Sequence, residues 1–305
     1  MEPNITKSSW LMVGILGFVW GSTFMIIEIA LAGGIPPFWL ATARLTVAAI
    51  VLGLFWWHQG ARLALDPDNP PTWLQILWTG AVSSGIPFLL LNWGQQHVTS
   101  GFAGTAMAAV PIFVLPLAHF MVAGEKLSLR KVIGVLLGIL GVWSLVRGDG
   151  LSGSGADLEL WGQIACLLVA VCYAVNSITI RRLPPVDPIG LTTMMMVSAA
   201  AITLPFTLLA EGLPPMPQAS AIWALLALGV VSTAAMNLLR VLVIRSAGPT
   251  FMTLVNYQVP IWSVILGAWI LSEPLPNSLI WGLLLILSGV ALGQLGALRR
   301  LFFSR

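Results

Sequence analysis

Charge is what this sequence has least of: charged residues make up 8% of its 305 positions, whereas a soluble domain carries about 25%. Polar stretches are short as well, and the longest link between apolar segments lies near residues 58–72. These absences exclude a soluble domain of appreciable size. No basic run has interleaved aromatics, so nucleic-acid binding is not expected despite a net charge of +3.

Cysteine and the motifs of catalysis are nearly absent too. The two cysteines, Cys166 and Cys172, lie in one apolar segment, which is typical of buried free thiols rather than of a disulfide or a metal site. The chain has no His-Glu-x-x-His, no Gly-x-Gly-Asp and no nucleotide-binding P-loop. The sequence therefore predicts no enzyme, no cofactor and no direct use of ATP.

The chain instead contains many long apolar segments. A helix needs about 20 apolar residues to cross roughly 30 Å of hydrocarbon, and ten segments reach or approach that length. They are residues 10–31, 38–57, 73–94, 100–122, 129–146, 159–180, 189–210, 222–244, 251–271 and 278–297. We therefore predict a multi-pass protein embedded in the lipid bilayer.

The basic residues are divided unevenly between the two ends of these spans. Of the 14 Lys and Arg, 11 fall on the side of the amino terminus, one falls on the other side, and Arg44 and Arg240 lie within spans. Basic loops stay in the cytoplasm. Both termini are therefore predicted to be cytoplasmic, with the protein in the inner membrane.

The chain also repeats itself. A shift of 149 residues pairs Gly80 with Gly229 and Pro111 with Pro260. The predicted units are residues 1–147 and 159–298, with a linker at 148–158 and a basic cytoplasmic tail at 299–305. Each unit has five spans, and because five is odd the second unit enters the membrane from the opposite side. Inverted repeats are typical of transporters that open one central site alternately to either side.

Several short motifs carry a family resemblance. They are Trp20-Gly21-Ser22, Arg44, the block from Pro111 to Gly124-Glu125-Lys126-Leu127-Ser128, and the block from Pro260 to Ser272-Glu273-Pro274-Leu275. On these the sequence resembles the drug/metabolite transporter superfamily, specifically its EamA-type ten-helix members. Within that superfamily it looks most like the YddG-type exporters of aromatic and other neutral amino acids.

The resemblance implies an all-α integral membrane protein with ten transmembrane helices, arranged as two inverted five-helix repeats around a central cavity. Spans 5 and 10 would pack at the periphery. The implied activity is export of aromatic and other neutral amino acids by alternating access. Export of other cargo (cationic drugs, nucleobases or sugars) and a non-transporting receptor or scaffold stay open as alternatives.

Polar and aromatic residues inside spans are the candidates for substrate contact, because a polar group in a membrane helix faces a cavity or a partner helix. The candidates are Trp20, Asn92, Trp93, Gln96, Met107, Tyr173, Asn176, Asn237, Asn256, Tyr257 and Trp262. Asn92 and Gln96 are spaced to share a helix face. An uncharged chamber rich in amides and aromatics suits a zwitterion with an apolar side chain. For each residue, structural bonding between helices is an equal alternative.

The charged candidates are Glu28, Arg44 and Arg240. Glu28 and Arg44 are placed to pair with each other; alternatively, Arg44 bonds backbone carbonyls or holds a substrate carboxylate, and Glu28 couples transport to protons. Arg240 lies near a span end, where its side chain can reach the interface. Glu125 and Glu273 precede spans 5 and 10, and we expect them to act as structural caps.

Proline and glycine mark two further features. Pro111 and Pro260 occupy matching positions in the two units, which favours a hinge in gating. Spans 5 and 10 carry Gly134-x-x-x-Gly138 and Gly289-x-x-x-Gly293, a pattern of close helix packing. The glycines serve either internal packing or a dimer face, so we expect a monomer or a weak dimer through spans 5 and 10.

Overall fold

The computed structural model describes residues 5–66, 68–121, 128–146, 156–214 and 216–296. The regular structure of these residues is helical, and one isolated bridge between Ala64 and Val186 is the sole strand-like pairing among them. We number the helices α1 (Lys7–Ala32), α2 (Pro37–His58), α3 (Trp73–Gly94), α4 (Ser100–Met121), α5 (Leu129–Val146), α6 (Ala156–Arg181), α7 (Pro188–Glu211), α8 (Ala219–Ala247), α9 (Val255–Ile270) and α10 (Asn277–Gly293).

Length separates the last two helices from the others. In the described part of the chain, eight helices, α1 to α8, are long and apolar enough to cross a membrane. The helices α9 and α10 have 16 and 17 residues, and a one-turn helix, Pro249–Met252, precedes α9. An all-helical membrane architecture is therefore confirmed, while the count of ten crossings stays a prediction.

Local signals explain several helix starts. Thr6 and Ser9 form a capping box at the start of α1, and Thr72 and Gln75 form another before α3. The Asp187 carboxylate accepts the Gly190 N–H at 2.7 Å ahead of α7. Each cap satisfies a backbone donor that the first helical turn leaves free.

Two glutamates cap helices that are distant in sequence. The Glu273 carboxylate accepts the backbone N–H groups of Ser100 at 2.7 Å and Gly101 at 3.0 Å, at the start of α4. Glu211 accepts those of Phe38 and Trp39 at 3.0 and 2.9 Å, at the start of α2. The helix that Glu273 caps is thus α4 rather than the expected α10, because its side chain points across the bundle. Glu125 lies outside the described residues.

The glycines of α5 and α10 bring these two helices together within the chain. A Cβ at Gly134 would lie 2.5 Å from the Gly289 carbonyl oxygen, and one at Gly141 would lie 2.9 Å from that of Gly282. No side chain larger than hydrogen fits between backbones this close. The glycine stripe is therefore used in packing within the chain, while a monomer or weak dimer through α5 and α10 stays a prediction.

The ends of the bundle are tied by backbone contacts. At the end where α1 begins, the Asp187 N–H donates to the Leu63 carbonyl at 2.8 Å. At the far end, where α1 finishes, the Gln218 N–H donates to the Gly33 carbonyl at 3.1 Å. These contacts join the link after α2 to the link after α6, and the link after α1 to the link before α8.

The outer surface is apolar. Exposed tryptophans lie near helix ends, with relative exposures of 72–79% at Trp57, Trp73, Trp223 and Trp269. Aromatic side chains at helix ends are typical of the two membrane–water interfaces. The interior holds small and branched residues such as Ile27, which is fully buried.

Candidate functional site

A π-helical stretch lies midway along α8, at Ala227–Ala235. Within it the Thr233 hydroxyl donates to the Leu228 carbonyl at 2.8 Å, and the Asn237 amide donates to the Thr233 carbonyl at 2.7 Å. The Ser232 carbonyl accepts the indole N–H of Trp20 at 3.0 Å. A π turn displaces carbonyls from the regular helical ladder, so these groups can bond side chains from neighbouring helices.

Arg44 reaches this stretch from α2. Its Nε donates to the Thr233 hydroxyl at 2.8 Å, and its guanidinium carbon lies 4.2 Å from the centroid of the Phe88 ring on α3. Arg44 is 4% exposed, and its Nη1 has no hydrogen-bond partner. The Tyr173 hydroxyl on α6 lies within electrostatic range of the guanidinium.

We call these residues the central polar cluster: Trp20, Arg44, Phe88, Tyr173, Ser232 and Thr233. They come from α1, α2, α3, α6 and α8. Ser232 is 2% exposed, and its hydroxyl oxygen, like Arg44 Nη1, has no partner. In the described part of the chain, no Asp or Glu pairs with Arg44.

Glu28 does not form the ion pair with Arg44 that its position in the sequence allows. Glu28 is half-buried near the end of α1, where it lies within electrostatic range of Glu273, and its Oε2 has no partner. Arg44 is turned toward α8 instead. The two charges therefore belong to different parts of the bundle.

A second polar group lies at the far end of α3. The buried Asn92 amide donates to the Pro37 carbonyl at 3.2 Å, and the buried Gln95 amide donates to the Phe24 carbonyl at 2.9 Å. The side-chain oxygens of both residues lack partners. Gln96, expected to share a face with Asn92, is exposed. The helix ends at Gly94, so the four-residue spacing no longer places Gln96 above Asn92.

The other candidates on α3, α4 and α6 are partly buried. The ring of Trp93 meets that of His97 edge to face at 4.9 Å between centroids. Met107 and Tyr173 pack against the largest apolar cluster of the interior. Asn176, one turn beyond Tyr173, has a buried side-chain oxygen without a partner.

The three candidates on α9 lie in different surroundings. Asn256 is exposed, which does not fit a cavity wall in this conformation. Tyr257 donates to the Gln294 side-chain oxygen at 3.4 Å. Trp262 packs edge to face against Phe18 at 5.2 Å between centroids.

Both predicted hinge prolines follow a break in their helix. The regular pattern of α4 is interrupted at residues 108–109, just before Pro111, and residues 253–254 separate Pro249–Met252 from α9, which contains Pro260. Both breaks have backbone bonds of the tighter i→i−3 type. The hinge role itself stays a prediction.

Two further features lie away from the central polar cluster. Arg240 is partly buried on α8, and its Nε has no partner. A separate cleft between α3, α4 and α6 is bordered by Trp78 and Arg182 and shares no residue with the cluster. The described residues hold no group of three or more His, Cys, Asp or Glu that could bind a metal ion.

Sequence reasoning missed Ser232, Thr233, Gln95 and Glu211. Buried hydroxyls in helices usually bond their own backbone, so nothing in the sequence separates Ser232 and Thr233 from other such residues. The one available signal was the match of Ser83 with Ser232 under the 149-residue shift.

Comparisons with known proteins extend over nearly the whole chain. The EamA-like transporter family matches residues 8–147 and again residues 160–293. The uncharacterized inner membrane transporter YedA of Escherichia coli (strain K12) is 29% identical over 92% of this chain and 89% of its own length. The probable terminal-alkyne amino-acid exporter of Streptantibioticus cattleyicolor is 31% identical, over 45% of this chain and 44% of its own.

Solved structures share this fold, and a crystal structure is one of them. It aligns with a TM-score of 0.66 over 97% of this chain and 99% of that chain, at 20% sequence identity. At that identity the likeness concerns the fold alone.

Proposed function

The chain belongs to the EamA-like transporter family and is a membrane transporter; from that premise we propose that it exports neutral amino acids, aromatic ones above all, as the YddG-type exporters do. Export proceeds by alternating access from a central site. The protein lies in the inner membrane with both termini in the cytoplasm.

The observation that carries the cargo proposal is the chemistry of the bundle centre. The central polar cluster combines the Phe88 ring beside Arg44 with the Thr233 hydroxyl of α8, and Tyr173 of α6 lies within electrostatic range of the guanidinium. The nearby Asn176 oxygen is buried and unpaired. A single cation, neutral polar groups and aromatic walls suit a molecule with a carboxylate and an apolar side chain. The similarity to a probable amino-acid exporter supports the same cargo class.

The alternating-access proposal rests on a ten-crossing, inverted arrangement. If all ten helices alternate in direction, both partners of each contact between helix ends lie on the same side of the membrane. These contacts are Glu211 with the start of α2, Glu273 with the start of α4, and Asp187 with Leu63. The two family matches, at residues 8–147 and 160–293, support one unit in each half. Pairing of α2 with α7 and of α5 with α10 relates each helix to its counterpart in the other half.

One observation favours a second cargo class. Glu28 offers a buried carboxylate oxygen without a partner near the end of α1. Exporters of cationic drugs use a membrane-embedded acid to attract their cargo. If cations were the cargo, Glu28 rather than the central polar cluster would hold them.

Transport into proteoliposomes decides between these readings. Purified protein is reconstituted and offered labelled phenylalanine, threonine, a cationic dye or a sugar phosphate, with and without a pH gradient. We expect saturable movement of the amino acids alone, weakened by Tyr173→Phe and unchanged by the control Ser198→Ala. Movement of the dye alone, lost in Glu28→Gln, would overturn the amino-acid proposal in favour of cation export.

A further inference from the structure

We propose that Arg44 and Ser232 form the subsite that binds the carboxylate of the cargo, with Tyr173 beside it. This inference rests on the proposed transport function and narrows it: every good substrate must carry a carboxylate. The amide or amine that corresponds to a transported acid should bind poorly.

The first reason is the unbalanced charge of Arg44. A guanidinium within a membrane bundle is costly unless an anion or several acceptors surround it. Arg44 is 4% exposed, its Nε has one neutral partner at 2.8 Å, and the Phe88 ring covers one face at 4.2 Å. Nη1 has no partner, and no Asp or Glu of the described residues pairs with the side chain. A bound carboxylate would supply the missing negative charge.

The second reason is a second free donor on the π-helical stretch that Arg44 bonds. Thr233, which bonds Arg44, adjoins Ser232 in the π-helical stretch of α8. The Ser232 hydroxyl is buried without a partner, although its carbonyl is bonded to Trp20. Thr233 has its hydroxyl proton committed to the Leu228 carbonyl, so it positions Arg44 rather than binding the ligand. Ser232 and Arg44 therefore offer the carboxylate one neutral and one charged donor.

The third reason is that this subsite lies between the two halves of the chain, which move relative to each other in an alternating-access carrier. Arg44 lies on α2 and Ser232 on α8, so the subsite joins helices from the two halves of the chain. Arg44 Nη1 and Ser232 Oγ are both closed to solvent in this conformation. The carboxylate must therefore enter in a state in which these helices have separated. A bound anion that contacts both halves would favour their closing together.

The test compares ligands that share a phenyl side chain and differ in their carboxylate and amino groups. L-phenylalanine, L-phenylalaninamide, phenethylamine and 3-phenylpropionate are titrated against the purified full-length protein by calorimetry. A charge-assisted pair contributes enough that we expect the amide and the amine to bind about 10- to 100-fold more weakly than the amino acid. The preference for the acid over the amide should disappear in Arg44→Gln and partly return in Arg44→Lys.

Ser232→Ala is a second variant that tests the subsite if Arg44→Gln does not fold. Loss of one neutral hydrogen bond should weaken phenylalanine binding about 3- to 10-fold, with little effect on the amide. The matched control is Ser198→Ala, because Ser198 is also buried and its hydroxyl already donates to the Met194 carbonyl at 2.7 Å. Ser198→Ala should bind phenylalanine as the unmodified protein does.

The outcomes separate this inference from the proposed function. If phenylalanine binds and its amide binds equally well, the carboxylate subsite is wrong and amino-acid transport stands. If 3-phenylpropionate binds in an Arg44-dependent way and phenylalanine does not, the subsite stands and the amino-acid cargo is wrong. If none of the four compounds binds, both proposals are wrong.

Discussion

Replacing Glu273 tests how the link after α9 is fastened to α4. Its two carboxylate oxygens accept the Ser100 and Gly101 N–H groups at 2.7 and 3.0 Å, and no other side chain in the described ranges takes these donors. A hydrogen bond to a charged group contributes about 1.5–3 kcal/mol net, and an acid at a helix start also interacts with the helix dipole. Glu273→Gln keeps one acceptor and turns an amide N–H toward the other donor.

We therefore expect Glu273→Gln to lower the free energy of unfolding by about 1.5–3 kcal/mol, the contribution of one such bond. Glu273→Ala loses both bonds. Because Glu273 itself is only half-buried, we expect a loss of about 3 kcal/mol, at the lower end of two such contributions.

The assay is reversible unfolding in mixed detergent micelles, followed by tryptophan fluorescence. Asp68→Asn is the matched control, since Asp68 is an exposed acid in the link after α2. If Glu273→Gln and Glu273→Ala both unfold within about 0.5 kcal/mol of that control, as ordinary surface changes do, the cap has no energetic role and the reasoning is wrong.

The remaining predictions use the same unfolding assay. Glu211→Gln should lower the free energy of unfolding by about 1.5–3 kcal/mol, because it weakens the corresponding cap on α2. An unchanged free energy of unfolding would show that this cap, unlike that of Glu273, has no energetic role. Gly134→Ala places a Cβ against a carbonyl oxygen of α10 and should cost about 1–3 kcal/mol. Gly14→Ala, with nothing within 4 Å of its Cβ, should be neutral or stabilising, and an equal loss at both glycines would contradict the steric account. Trp20→Phe leaves the Ser232 carbonyl unpaired and should cost about 1–3 kcal/mol, with retained stability counting against that bond.

The helices could be predicted from the sequence because apolar length and the turn residues act locally. Residues 38–57 were predicted for α2, which runs from Pro37 to His58, and α1 to α8 are confirmed as long apolar helices. The last two helices were predicted longer than they are. A turn at residues 253–254 delays the start of α9, and a turn at Gln294 ends α10, without changing the hydropathy that the prediction relied on.

The site was only partly predictable because its geometry depends on backbone irregularity. Because α3 ends at Gly94, Asn92 and Gln95 are the residues that bond α2 and α1. Continuing the helix regularly would have placed Gln96 on the face of Asn92, as the sequence predicted. The π-helical stretch of α8 rotates Ser232 and Thr233 toward α1 and α2. No residue pattern in the sequence predicts such a π-helical stretch.

Partners distant in sequence were the least predictable feature. Glu273 was recognised as a cap from its position before span 10. The amides that it binds belong to residues 172 and 173 positions earlier. Only the packing of α9 against α4 brings them together.

The most direct test of the central claim is counterflow of phenylalanine in proteoliposomes. A carrier with one central site that opens alternately to two sides returns faster when it is loaded. Vesicles preloaded with unlabelled phenylalanine should therefore take up labelled phenylalanine faster than empty vesicles, with saturation. Uptake that is linear in concentration and indifferent to internal phenylalanine would contradict alternating access from a central amino-acid site.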